Sequence, residues 1–121
     1  MSKQRSATIP GPVMADAACC TPLTEATLSA EKARDLAPAF KALGDPVRLQ
    51  LLSQIATAES GEACVCDLTV GFELTGPTIS HHLKVLREAG LIDCERRGTW
   101  VYYWIVLERV SALAHMLAAG R

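Results

Sequence analysis

At Gly90 the hydrophobic period of this 121-residue chain changes, and that change restricts the fold more than any other feature. Before it, Ile79, Leu83 and Leu86 recur at i, i+4 and i+7. This is the buried stripe of a helix that starts within Thr75-Gly76-Pro77 and runs to Ala89. After it, residues 91–97 and 99–105 are rich in β-branched and aromatic types around Arg97-Gly98, which predicts a hairpin. Trp100, Tyr102, Tyr103 and Trp104 crowd into its second strand. Upstream, helical spacing begins at Ser29 with Leu36, Phe40 and Leu43, and Gly44 closes it. Pro38 is expected either to kink this helix or to delay its start. Asp45-Pro46 then supplies an N-cap and a first-turn proline for a second helix, with Val47, Leu51 and Ile55 on one face. Residues 57–63 read as a loop, and Cys66 to Gly71 as a short helix with a break at Glu73-Leu74. A last helix from about Leu107 to Ala119 carries Leu107, Val110, Leu113, Ala114 and Leu117.

The order is thus α-α-α-α-β-β-α, mainly α. A short helix and a longer one joined by a tight turn make a helix-turn-helix, and a hairpin directly after it is a wing. Residues 1–28 hold Pro10, Pro12 and Pro22 with no sustained apolar period, so they read as a flexible arm. Residues 29–121 form the winged domain. Lys and Arg total 12 against 13 Asp and Glu, so no global basicity points to nucleic acid; a basic face offset elsewhere remains compatible with it. No apolar run reaches the ~18–20 residues of a membrane span, and no apolar stretch follows Lys3 and Arg5 as a secretory signal requires. A cytoplasmic protein is expected. No nucleophile–base–orienter set or phosphate loop is visible, and His81-His82 lacks the spaced glutamate of a helical zinc hydrolase, so an enzyme is not expected.

FKALGDPVRLQLL, CVCDL and PTISHHLKVLREAGLI, followed by the RRGTWVYY hairpin, resemble the ArsR/SmtB family of metal-responsive winged-helix repressors. The resemblance covers about residues 36–117. It implies that the helix after Thr75 lies in the major groove and that Arg96 and Arg97 sit on the wing, near phosphates or the minor groove. The residue types agree. Thr75, Thr78, Ser80 and His81 are short or polar enough to let a backbone approach base edges, and Lys84 can reach a phosphate. Thr75 is equally suited to cap the helix. His81 and its neighbour His82 cannot share a face; His81 is the expected DNA contact and His82 the packed one. From Thr75 to Trp104 four basic residues (Lys84, Arg87, Arg96, Arg97) face three acidic ones (Glu88, Asp93, Glu95). So weak a bias calls for a twofold dimer on a palindromic operator of double-stranded DNA. The broad apolar face of Leu107, Val110, Leu113 and Leu117 is the expected dimerisation surface.

Five cysteines without a signal peptide suggest metal or redox chemistry in a reducing compartment. Cys64 and Cys66 stand at i, i+2. In a regular helix their side chains lie ~200° apart and cannot grip one ion, whereas in an extended segment they point the same way. Co-ligation therefore demands an unwound or distorted helix start, and a place at a helix N-terminus is expected to lower the thiol pKa. The CVCDL motif resembles the sensing site of arsenite-responsive and of cadmium/lead-responsive members. The arsenite pattern often has a third cysteine where this chain has Thr69. Cys19 and Cys20 on the arm are the available source of the missing ligand, and adjacent N-terminal cysteines resemble a variant among arsenic sensors. The effector is therefore expected to be As(III) or Sb(III) on three thiolates, with Cd(II), Pb(II) or Zn(II) as alternatives. Oxidation of the same thiols, making a redox-sensing repressor, is a further alternative. The family's zinc site on the C-terminal helices is not expected, because only Glu108 and His115 are near. Cys94 alternates inward with Ile92 and reads as packing.

Overall fold

The structure, a computed structural model, describes residues 22–68 and 75–118. The arm with Cys19 and Cys20, and Thr69, lie outside the described residues. Among the described residues five helices and three strands follow in order: α1 (Ala30–Leu43), α2 (Pro46–Ala56), β1 (Ala63–Cys64), α3 (Val65–Leu68), α4 (Gly76–Glu88), β2 (Ile92–Arg97), β3 (Trp100–Ile105) and α5 (Leu107–Leu117). The chain divides after Leu36 and before Leu107 into two compact units, with α1 running through the first boundary.

In the unit that contains residues 37–106, α2 packs on α4 and on β3, and α4 packs on β2. Leu51, Ile55, Leu68, Ile79, Leu83, Leu86, Leu91 and Ile92 are fully buried there. The helix starts follow from capping. The Asp45 carboxylate accepts from the backbone N–H of Val47 at 2.8 Å and of Arg48 at 3.2 Å, ahead of Pro46 at the first turn. Burial pushes that carboxyl up, but the two backbone donors and the Arg48 charge outweigh it, so its pKa is lowered. Helix α4 ends in a Schellman turn: Gly90 has φ 82°, its N–H reaches Arg87 O at 2.9 Å, and the Leu91 N–H reaches Leu86 O at 3.1 Å. The hairpin closes through Gly98-Thr99, with Arg97 opposite Trp100. Gly98 has φ 66° while Thr99 has negative φ, the pattern of a type II′ turn, whose twist suits a hairpin.

Three sequence expectations need correction here. Residues 57–63 are not all loop: Ala63 and Cys64 form β1, antiparallel to β3 with Ala63 opposite Tyr103 and Cys64 opposite Tyr102. The sheet is therefore three-stranded, in the order β1-β3-β2. Two residues carry no alternation to read, so this strand exists only because the edge of β3 accepts it. The short helix begins at Val65, one residue earlier than expected. Helix α1 starts at Ala30 behind a Ser29 cap and is not delayed by Pro38, which lies inside it.

In the other unit, the Leu23 N–H donates to Met116 O at 3.0 Å and Arg109 reaches Asp35 O at 3.5 Å. Helix α5 buries Ala112, Leu113 and Met116. Stepping about 100° per residue, Leu107, Val110, Ala114 and Leu117 form a separate stripe. Leu107 and Leu117 are exposed and Val110 is half-buried, whereas Leu113 belongs to the inward stripe of its own chain. The expected dimerisation face thus loses Leu113, because the helix has two apolar stripes and residue 113 falls on the one already covered.

Candidate DNA interface and thiol site

Helix α4 presents the polar side chains that the sequence picked out. Thr75, Thr78, Ser80, His81 and Lys84 are all exposed, while Ile79, Leu83 and Leu86 turn inward. Thr75 has extended backbone and its Oγ1 accepts from the Thr78 N–H at 3.3 Å, so it caps the helix. The two threonine hydroxyls are 2.9 Å apart. The two histidines diverge. His81 faces solvent, whereas half-buried His82 accepts at Nδ1 from Arg48 Nη1 at 3.1 Å. Arg48 Nε in turn donates to Ala42 O at 2.6 Å, so His82 closes a link from α4 through α2 to α1. Between α4 and β3 lies an open cleft of about 450 Å³ lined by Ser80, Lys84, Arg87 and Tyr103. Arg87 lies 3.3 Å from the Asp93 carboxylate.

On the wing, Arg96 is exposed and Arg97 half-buried, against the alternation of β2, in which Ile92 and Cys94 are the covered residues and Asp93 and Glu95 the exposed ones. Arg97 is engaged by the carboxylates of Glu62 and Glu95 and lies over the Tyr102 ring. Glu62 and Glu95 were missed at the sequence level. Glu62, one of two glutamates in the TAESGEA segment, reads as a solvated charge, and nothing local links it to a residue 35 positions on. Trp100 is exposed at the wing tip.

The thiols occupy the junction of β1 and α3. Cys64 is buried on the strand and Cys66 exposed on the first turn of the helix, with their Sγ atoms 2.7 Å apart. The change from extended to helical backbone between them brings the two sulfurs to one side, which a regular helix would prevent. The Cys66 N–H also points to Cys64 Sγ at 3.4 Å. The expected drop in thiol pKa is corrected. The hydrogen bond with Cys64, then desolvation, then the negative charge of a Cys64 thiolate and of Asp67, push the Cys66 thiol up. A four-residue helix offers too little dipole to oppose them. Among the described residues no group of three or more His, Cys, Asp or Glu is gathered around one point. Cys64 and Cys66 thus offer two sulfurs, with the Asp67 carboxylate 4.0 Å from Cys66 Sγ. Cys94 is half-buried on β2 opposite Tyr103, and burial raises its pKa. His115 is exposed on α5. Among the described residues no helix is long and apolar enough to cross a membrane.

The chain is similar to known proteins. The family described as "Bacterial regulatory protein, arsR family" matches residues 45–93, from the cap of α2 into β2. An uncharacterised helix-turn-helix-type transcriptional regulator of Methanocaldococcus jannaschii is 41% identical over 87 residues, 72% of this chain and 96% of that protein. The arsenical resistance operon repressor of Bacillus subtilis is 46% identical over 74 residues, 61% of this chain and 69% of that protein. Among solved structures, the homodimeric winged helix-turn-helix DNA-binding domain of a Mycobacterium bovis protein superposes with a TM-score of 0.60 at 31% identity, covering 74% of this chain and 80% of that one.

Proposed function

Because this chain belongs to the arsR family of bacterial regulatory proteins, whose members are DNA-binding transcriptional regulators and not enzymes, we propose that it is a repressor released from its operator by trivalent arsenic or antimony. The observation that carries this reading is the Cys64–Cys66 sulfur pair, 2.7 Å apart in the segment that leads to the DNA-reading helix.

The chemistry of the pair favours a metalloid over a divalent cation. Arsenite is present near neutral pH as As(OH)₃. Each thiol that replaces a hydroxide sends its proton out as water, so RSH + As–OH gives RS–As + H₂O with no net proton released. Cd(II) or Zn(II) must instead displace each thiol proton into solvent, and a raised Cys66 pKa penalises that. Soft sulfur ligands suit either class, so the proton balance discriminates where softness does not. Cys19 and Cys20 supply the third thiolate, in trans, from the arm of residues 1–28.

DNA is read by the exposed face of α4. Ser80 and His81 reach base edges, Thr75 and Thr78 set the helix start against the backbone, and Lys84 and Arg96 hold phosphates, with Arg97 completing the wing. Two copies pair through the Leu107, Val110 and Leu117 stripe, which doubles a weakly basic footprint on a palindromic site. The protein acts in the cytoplasm.

The test uses a duplex that the full-length protein selects from a randomised pool, with affinity measured under reducing conditions with and without arsenite. Arsenite is expected to weaken binding by about 5–150-fold, the usual range of such couplings. Cys64→Ser, and the Cys19→Ser, Cys20→Ser double variant, are expected to bind the duplex normally and ignore arsenite. Cys94→Ser is expected to respond like the parent. A full response from the double arm variant would remove the arm from the site. Wild-type protein that keeps its duplex at saturating arsenite would end the effector reading.

A further inference from the structure

Arg96 and Arg97 are adjacent on the wing and sit in opposite environments. Arg96 is exposed. Arg97 is gripped in two-pronged fashion by Glu62, Nη1 on Oε1 and Nη2 on Oε2, the latter at 3.1 Å. Glu95 Oε1 accepts from Arg97 Nε at 3.0 Å and from Nη2 at 2.8 Å, and the guanidinium carbon lies 4.8 Å from the centre of the Tyr102 ring. The Glu62 side chain is only 13% exposed, so this bridge is less screened than an ordinary surface pair.

Every one of these partners leads back to the sulfur pair. Glu62 lies two residues before Cys64. Tyr102, the ring beneath Arg97, is the residue opposite Cys64 in the β1–β3 ladder and opposite Glu95 in the β2–β3 ladder. An ion held by both sulfurs fixes their separation, at roughly 3.3–3.8 Å for bonds of about 2.3 Å, and the angle between them. Capture of an ion therefore ties β1 to α3. Cys66 is on α3, a single turn, and Cys64 is on a strand of only two residues that Glu62 directly precedes, so the constraint reaches Glu62 through two residues of backbone. A bidentate carboxylate–guanidinium pair fixes both distance and plane, so a shift of Glu62 is handed to Arg97 as a rotation as well as a translation.

We propose that Arg97 is a positioning residue and not a phosphate ligand: its bridge to Glu62 couples the Cys64–Cys66 segment to the wing. The proposal rests on the reading of the two cysteines as the effector site and of the wing as part of the DNA interface. It assigns to Glu62 a role in transmission and leaves phosphate binding on the wing to Arg96.

Because coupling between two sites is reciprocal, DNA on the wing must alter the thiols, and this can be measured without any effector. The full-length protein is treated with iodoacetamide under reducing conditions, with and without the selected duplex, and the alkylation rate of Cys66 is followed by peptide mass spectrometry. In the wild-type protein the duplex is expected to change that rate at least threefold. Glu62→Gln, nearly isosteric, and Arg97→Lys, which keeps the charge but loses the fork, are each expected to bring the ratio close to one. In parallel, Arg96→Ala is expected to reduce the slope of log affinity against log salt by about one per subunit, and Arg97→Ala to leave it unchanged. A wild-type rate indifferent to the duplex overturns the proposal. So does a wild-type ratio in both Glu62→Gln and Arg97→Lys, or a slope that falls in Arg97→Ala as it does in Arg96→Ala. If the ratios behave as expected while arsenite fails to release the duplex, the effector reading falls and the coupling stands.

Discussion

Helix α4, the proposed reader of DNA, and the thiol segment are built on opposite principles. Helix α4 makes itself from local chemistry: the Thr75 cap, Pro77 in the first turn, the Ile79–Leu83–Leu86 stripe and the Gly90 stop all lie within 16 residues. The segment from Glu62 to Leu68 has almost nothing of its own. Its two-residue strand borrows hydrogen bonds from β3, its helix is a single turn, and Glu62 is anchored by an arginine 35 positions away. A reader of DNA profits from rigidity, because its side chains must be held in place before contact. A sensor profits from a low cost of rearrangement, because a ligand moves an equilibrium only by its differential affinity for the two states. The contrast in construction fits the division of labour proposed for the two regions.

The largest test of the contrast strikes at the helix. Leu83 is fully buried at the centre of the α4 stripe. Leu83→Ala is expected to cost about 2–5 kcal/mol of stability in a urea titration, far more than any change confined to residues 62–66. A cost under 1 kcal/mol would mean that α4 does not depend on its inward stripe.

Next in size is the pH dependence of ion capture. The hydrogen bond with Cys64, and after it desolvation, raise the Cys66 pKa, so the thiol stays protonated further up the pH scale than a free cysteine. Cd(II) affinity is therefore expected to rise by about tenfold per pH unit for each proton displaced, between pH 6 and 8. Arsenite affinity, whose exchange releases water and no protons, is expected to stay nearly flat over the same range. Calorimetry in two buffers of different ionisation enthalpy counts the protons directly. Equal proton release with both ions would remove the argument for a metalloid.

Smaller again are the contacts of α4 itself. Ser80→Ala or His81→Ala is expected to blunt discrimination among duplex variants by about 1–3 kcal/mol for each good contact, with little change in the salt slope. An unaltered sequence preference in both would move base reading off this face of the helix. The smallest effect belongs to the cap. Thr75→Ala removes the acceptor for the Thr78 N–H and is expected to lower stability without DNA by about 1 kcal/mol, seen as a drop of a few degrees in Tm. The Asp45 cap has a pH signature instead. Its pKa is lowered in the folded chain, so its contribution is complete above the ordinary carboxylate value of about 3.9 and fades as pH falls through the lower folded value.

Most of the helix-turn-helix and wing was legible because each part is announced by neighbours. Caps, first-turn prolines, stop glycines and a change of period act over a few residues, and a linear reading sees them whole. That the two histidines would part company also followed from helical geometry. The identity of the group that packs His82, Arg48 from α2, did not, since 34 residues separate them.

What the amino-acid sequence determined by itself is therefore the order of elements, the inward stripe of α4, the polar face it leaves outward and the proximity of Cys64 to Cys66 along the chain. Long-range packing set the rest: Cys64 sits on a strand, Leu113 turns inward on α5 while Leu107 and Leu117 stay exposed, and the Cys66 thiol is raised in pKa where a helix start alone would lower it. It also decided which of two adjacent arginines is open to solvent and which is clamped. The reason is the range of the forces involved. Capping and periodicity are settled within a turn or two of backbone, whereas strand pairing, burial and ion pairing depend on which distant surface the completed core brings alongside.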